Sequence, residues 1–144
     1  MLLRYTALCL VLILSTACGK QELPTPFHAS DVSHAFTAAD LRLTDHNGQP
    51  RSLADFKGKV VALFFGYTQC PDVCPTTLAD LAQTMKVLGE DAGKVQVLFI
   101  TVDPERDNPQ MLAQYVPAFH PSFLGLYGDA QVTAQVAKSF HVGY

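Results

Sequence analysis

The clearest pattern in the chain is an unbroken apolar run, Val60 to Phe65 within "KVVALFFGY", with no polar residue to mark an outward face. A run this short and β-rich predicts a strand covered on both sides, as in a parallel sheet. "VQVLFITVD" (Val95–Asp103) predicts a second buried strand. Between the two the period changes: Leu78, Leu81, Ala82, Met85 and Leu88 recur at the spacing of one helix face. Strand, helix and strand make a βαβ unit, whose crossover should be right-handed. Upstream, "LRLTDHNGQPRSL" alternates weakly and turns at Asn47-Gly48, a favoured pair for a tight hairpin. Downstream, Asn108 as N-cap with Pro109 at the first helical position predicts a helix to about Val116, ahead of Pro117. A last amphipathic helix follows Asp129, with Val132, Val136 and Phe140 on one side.

The first residues follow a different pattern. "MLLRYTALCLVLILSTACGK" has one charge, Arg4, followed by thirteen uncharged residues, Tyr5 to Ala17. This is the layout of a secretory signal peptide, too short for a comfortable membrane span; an uncleaved anchor is the alternative. "LSTAC" resembles the lipobox of bacterial lipoproteins, with Ala17 before Cys18 and Ser15 where leucine is usual. Cleavage there would leave a lipidated Cys18 as the N-terminus. The predicted organisation is a signal peptide of lipoprotein type over 1–17, a polar, proline-containing tether over 18–38, and one domain over 39–144. A flexible tether of that length reaches about 25 Å. The body of the protein is thus expected to be exported and membrane-anchored, facing the periplasm or the cell exterior. Loss of residues 1–17 takes the net charge from −3 to −4 and leaves 127 residues, enough for one ordinary core. The mild acidity gives no support to nucleic-acid binding.

Export changes the meaning of the cysteines. Of the four, Cys9 lies in the segment to be removed and Cys18 would carry lipid. Cys70 and Cys74 remain, in "YTQCPDVCPTT", in a compartment where disulfides persist. They could be core thiols, a disulfide, a redox pair or a metal clip. A bond closing so small a loop would add little chain-entropy stability, so chemistry is favoured over stapling. The pair falls just past the C-terminal end of the first parallel strand, where α/β folds place their sites. Each cysteine precedes a proline, which favours extended backbone at both and predicts Pro75 at N1 with Cys74 as N-cap. The helix dipole would then favour the Cys74 thiolate, with Asp72 working against it. A thiolate is both the nucleophile of disulfide exchange and a soft ligand for Cu(I).

"FFGYTQCPDVCPTTLADL" and "FITVDPERDNPQMLAQY" resemble the two signature stretches of the Sco/SenC copper chaperones, and the likeness runs from about Leu41 to Tyr144. The resemblance implies an α/β, thioredoxin-like fold with an N-terminal β-hairpin, tethered at a membrane. It implies copper bound by the C-x-x-x-C pair plus one histidine, and a part in building the copper centre of cytochrome c oxidase. The implied partners are the copper-bearing subunit of that oxidase or another copper chaperone. Cys70 and Cys74 match the family's thiol ligands. Asp103 in "TVDPERD" matches its signature acid near the site, though a turn residue before Pro104 is an equal reading. The family's histidine ligand sits in a "VDH" segment that would follow Tyr144. By the same comparison the final antiparallel strands and the last helix are missing, and the chain reads as a fragment. None of His28, His34, His46, His120 and His141 matches the ligand, and each is expected to be a surface or tether histidine.

Three functions compete on these residues. Copper chaperoning leads. The alternative is a membrane-tethered thiol–disulfide oxidoreductase that reduces partner cysteines; thioredoxin-type enzymes, however, use C-x-x-C, usually after tryptophan, and this chain has no tryptophan. A thiol peroxidase is suggested by "VCPT", but the threonine expected three residues before a peroxidatic cysteine is Pro71 for Cys74 and Tyr67 for Cys70. Copper binding and thiol reduction require the same reduced pair.

Overall fold

The structure is a computed structural model that describes residues 29, 30, 32 and 41–144. The signal peptide at 1–17, Cys18, nearly all of the tether, His28 and His34 lie outside the described residues. Among the described residues no helix is long and apolar enough to cross a membrane.

The elements run in the order β1 (Arg42–Asp45), β2 (Pro50–Ser52), a 3-10 turn (Leu53–Phe56), β3 (Val60–Gly66), α1 (Val73–Leu88), a second 3-10 turn (Gly89–Lys94), β4 (Val95–Thr101), α2 (Pro109–Phe119), β5 (Leu124–Tyr127) and α3 (Ala130–Ser139). One five-stranded sheet has the order β2-β1-β5-β4-β3. β3–β4 and β4–β5 are parallel, while β1 pairs antiparallel with β2 and β5.

β4 shows why the sheet needs helices on both faces. Val97 and Phe99 point into a core with Leu78, Ala82, Met85, Leu112, Val116 and Phe123, from α1, α2 and the segment before β5. Leu98 and Ile100 point the other way, toward Leu41, Leu43, Phe56, Leu126 and Val136. The alternation of a strand buried on both faces leaves no place for a polar side chain. β3 differs from expectation. Val60 is 68% exposed and the next five residues are only half-buried. β4 has a neighbour on each side, whereas β3 is the last strand of the sheet, so its apolar run is only partly covered.

The predicted hairpin is present, with Gly48 at a φ of 82° that suits glycine. Its organiser is Asp45, fully buried, which accepts the Asn47 and Gln49 N–H groups at 2.9 Å each and the Arg51 Nε at 2.8 Å. Burial pushes this carboxyl up, but those hydrogen bonds and the Arg51 charge outweigh it and hold it below its ordinary value.

Two proline-based boundaries shift. Helix α2 continues through Pro117 to Phe119, because a proline in the last turn interrupts little of the ladder beyond it. Helix α1 starts at Val73 with Asp72 as N-cap, so Cys74 is a helical residue and not the extended cap. Pro75 is the third helical residue, where its missing N–H would have had no intrahelical partner. β5 goes beyond the predicted elements; only four residues long, it pairs with both β4 and β1. The final helix matches expectation, with the Asp129 side chain accepting the Val132 N–H at 2.7 Å.

Candidate functional site

The parallel register sets Gly66 opposite Thr101, so the segments leaving β3 and β4 emerge side by side. The Val102 N–H donates to the Gly66 carbonyl at 2.8 Å and extends that pairing by one step. The chain then turns through Tyr67–Gln69, with the Cys70 N–H on the Tyr67 carbonyl at 3.3 Å, and enters α1 after Asp72. Gly66 is glycine for lack of room: a Cβ there would stand 3.0 Å from the Phe99 ring and 3.1 Å from Cys74 Sγ.

Both cysteines are free thiols and buried, Cys70 at 9% exposure and Cys74 at 4%. The Cys74 N–H donates to Cys70 Sγ at 3.4 Å, so the first turn of α1 points an amide at Cys70. This reverses the expected roles. The Cys74 thiol hydrogen-bonds to Cys70 and is the main influence holding the Cys70 thiol below its ordinary value. The N–H groups of Cys74 and Asp72 and the Tyr67 side chain add to this, against burial. Burial pushes the Cys74 thiol up, and its donation to Cys70 and the charges of Cys70 and Asp107 push it further. The pair therefore ionises first at Cys70, not at the cysteine inside the helix.

A consequence is open to direct measurement. Iodoacetamide should modify Cys70 ahead of Cys74 at neutral pH, read by peptide mass spectrometry. A depressed thiol gains thiolate at lower pH and a raised one at higher pH. The preference should thus be strongest below neutrality and fade as pH rises through the range where Cys74 ionises. Equal labelling at all pH values would contradict the assignment.

Asp103 lies on the adjoining segment. Its N–H donates to Thr101 Oγ1 at 3.0 Å and its carbonyl accepts the Arg106 and Asp107 N–H groups at 3.2 and 2.9 Å. Its carboxylate pairs with Arg106 Nε. Asp103 is thus a turn residue, and it also lines a cavity of about 550 Å³ together with Tyr67 and Gln69 of the thiol loop. His46 and His120 have local duties: His46 Nδ1 accepts the Gly125 N–H at 3.0 Å, and His120 Nδ1 meets Ser122 Oγ at 2.8 Å. His141 lines a separate hollow near the end of α3. Among the described residues no three or more His, Cys, Asp or Glu side chains gather as a metal cluster.

The residue that sequence reasoning missed is Asp107, the second acid of "TVDPERD". It is 1% exposed and accepts the Thr68 N–H at 2.9 Å, the Thr68 hydroxyl, and the Thr101 hydroxyl at 2.7 Å. Tyr115 was also missed; its hydroxyl is buried with no hydrogen-bond partner, and burial, then the charges of Cys74, Cys70 and Asp107, push it up.

Residues 29–144 match the family model described as SCO1/SenC. The chain is 50% identical over 107 residues to "Protein SCO2 homolog, mitochondrial" of Bos taurus, covering 73% of this chain and 40% of that protein. The Homo sapiens protein of the same name is 47% identical over 107 residues, again covering 73% and 40%. The chain thus spans about two fifths of the length of these curated relatives. Among solved structures, copper-bound ScoI of Bradyrhizobium japonicum superposes with a TM-score of 0.67 at 44% identity, covering 71% of this chain and 65% of that one. Copper-bound yeast Sco1 gives 0.68 at 36% identity, covering 73% and 59%.

Proposed function

The chain belongs to the SCO1/SenC family, and from that premise we propose that it binds copper as an assembly factor for cytochrome c oxidase. In this reading Cys70 and Cys74 hold the ion as cargo. The observation that carries it is the buried pair itself, two soft donors side by side, with an amide on Cys70 Sγ and Cys70 as the first thiolate. Cu(I) accepts two-coordinate dithiolate binding, so the two sulfurs suffice for it. Cu(II) prefers tetragonal nitrogen and oxygen donors and should bind weakly or heterogeneously. Metal uptake must displace the thiol protons, and the low Cys70 value makes the first of these easy to remove at neutral pH. Copper-bound relatives at 44% and 36% identity support the same assignment.

The test is a titration of the reduced protein with Cu(I) against a competing Cu(I) chelator, with sulfur coordination read by X-ray absorption. One Cu(I) per chain on two sulfurs is expected; failure to compete with the chelator would overturn the reading. The delivery target is proposed to be the copper-bearing subunit of the oxidase or another copper chaperone. A second reading, thiol–disulfide exchange with partner cysteines, is favoured by the same ionisation asymmetry. Cys70 would attack the partner disulfide and Cys74 would resolve the mixed disulfide.

A further inference from the structure

Asp107 is a buried acid facing donors that are all neutral. Among the described residues the acids Asp45, Asp91 and Asp103 each have a basic partner in an ion pair, and Asp107 has none. A carboxylate buried without a cation is costly unless its oxygens are well satisfied. Here they are, by Thr68 on the thiol loop and Thr101 at the end of β4. The hydrogen bonds to Thr68 span 39 positions in sequence and end two residues before Cys70.

We propose that Asp107 is a positioning residue for the thiol pair: its carboxylate pins the thiol loop to β4, and its charge biases the Cys70–Cys74 couple toward the disulfide. The inference rests on the redox-competent thiol pair of the proposed function. Reduction adds two electrons and two protons to the Cys70–Cys74 disulfide. Two glutathione thiols supply them and leave as one glutathione disulfide. The disulfide form is neutral, whereas the reduced form carries thiolate at Cys70. A fixed negative charge nearby raises the free energy of the thiolate form and leaves the disulfide unaffected. The charge of Asp107 already acts on Cys74 and Tyr115, so it reaches this corner of the core.

The experiment measures the equilibrium constant between the couple and glutathione redox buffers, with Asp107→Asn and Thr68→Val beside the wild type. Asp107→Asn keeps the shape, keeps an oxygen for the Thr68 N–H and removes the charge. The reduced form should gain about tenfold, an upward shift of about 30 mV. Thr68→Val keeps the charge and removes one donor that shields it, so its constant should move toward the disulfide. A purely structural role would not give shifts of opposite sign. A constant for Asp107→Asn within twofold of wild type, in a protein shown folded by circular dichroism, overturns the proposal, as do shifts of both variants in one direction. Should Asp107→Asn fail to fold, Thr68→Val decides alone, and an unchanged or raised constant overturns the proposal. The Cu(I) titration of the wild type judges the functional reading separately, since a chain that took up no copper would still yield the redox constants.

Discussion

Cys70→Ser is expected to lower Cu(I) affinity on the order of a thousandfold or more. Residues that merely orient a metal ligand are worth about 10–100-fold. Loss of one of only two soft donors should cost more, because a hydroxyl is a poor ligand for Cu(I). Cys74→Ser should cost a similar factor. The two variants should separate in thiol chemistry. In Cys74→Ser the serine hydroxyl can still donate to Cys70 Sγ and the helix amide still points there, so Cys70 stays reactive. In Cys70→Ser the remaining thiol is the buried one, and alkylation at neutral pH should slow well below that of the wild type. Chelator competition gives the first result and timed alkylation the second. Retention of Cu(I) affinity within a few-fold by Cys70→Ser would remove the thiol pair from the copper assignment.

Phe99→Ala is expected to cost about 3–5 kcal/mol of folding stability, the usual range for emptying a buried aromatic site. Phe99 is fully buried, with its ring centroid 5.8 Å from Phe64 and 5.9 Å from Tyr115. For a domain of this size such a loss lowers the melting temperature by roughly 12–40 °C. Its ring also backs Gly66, against which Cys74 packs, so the alanine variant should loosen the thiol site before the domain unfolds. Phe99→Leu, which fills most of the space, should cost much less. Thermal unfolding followed by circular dichroism gives the ranking. A Phe99→Ala melting temperature within a few degrees of wild type would mean that the space closes without loss.

Much of the frame was legible from the chain alone. Val97–Ile100 could only be a doubly covered strand, and Leu78, Ala82 and Met85 could only share a helix face. Asn47-Gly48 and Asp129 announced a turn and a cap through local chemistry that needs no partner elsewhere. Three kinds of fact were not local. The exposure of Val60 depends on which strand is outermost, and a strand's own residues do not state that. The ionisation order of the thiols was read backwards because it turned on whether Cys74 capped the helix or lay within it. The proline rule for preceding residues is a bias, and the first helical turn overrides it. Asp107 was passed over because an acid in "PERD" resembles any solvated loop residue until Thr68 and Thr101 are brought to it. The SCO1/SenC resemblance drew attention to Asp103, whose carboxylate is taken up by Arg106.

The span between Thr68 and Asp107 also bears on the order in which the site is completed. A chain made from its N-terminus contains both thiols before it contains β4 or Asp107. Helix α1 forms from near neighbours, but parallel pairing of β3 with β4 must wait for the whole crossover, and such distant pairings are slow to form. Until then Cys70 and Cys74 belong to a loose dithiol without the Asp107 anchor, open to whatever oxidant or metal arrives first. The finished chemistry thus belongs to the closed βαβ unit and not to the C-x-x-x-C segment, which ties the maturation of the thiol pair to the late steps of folding.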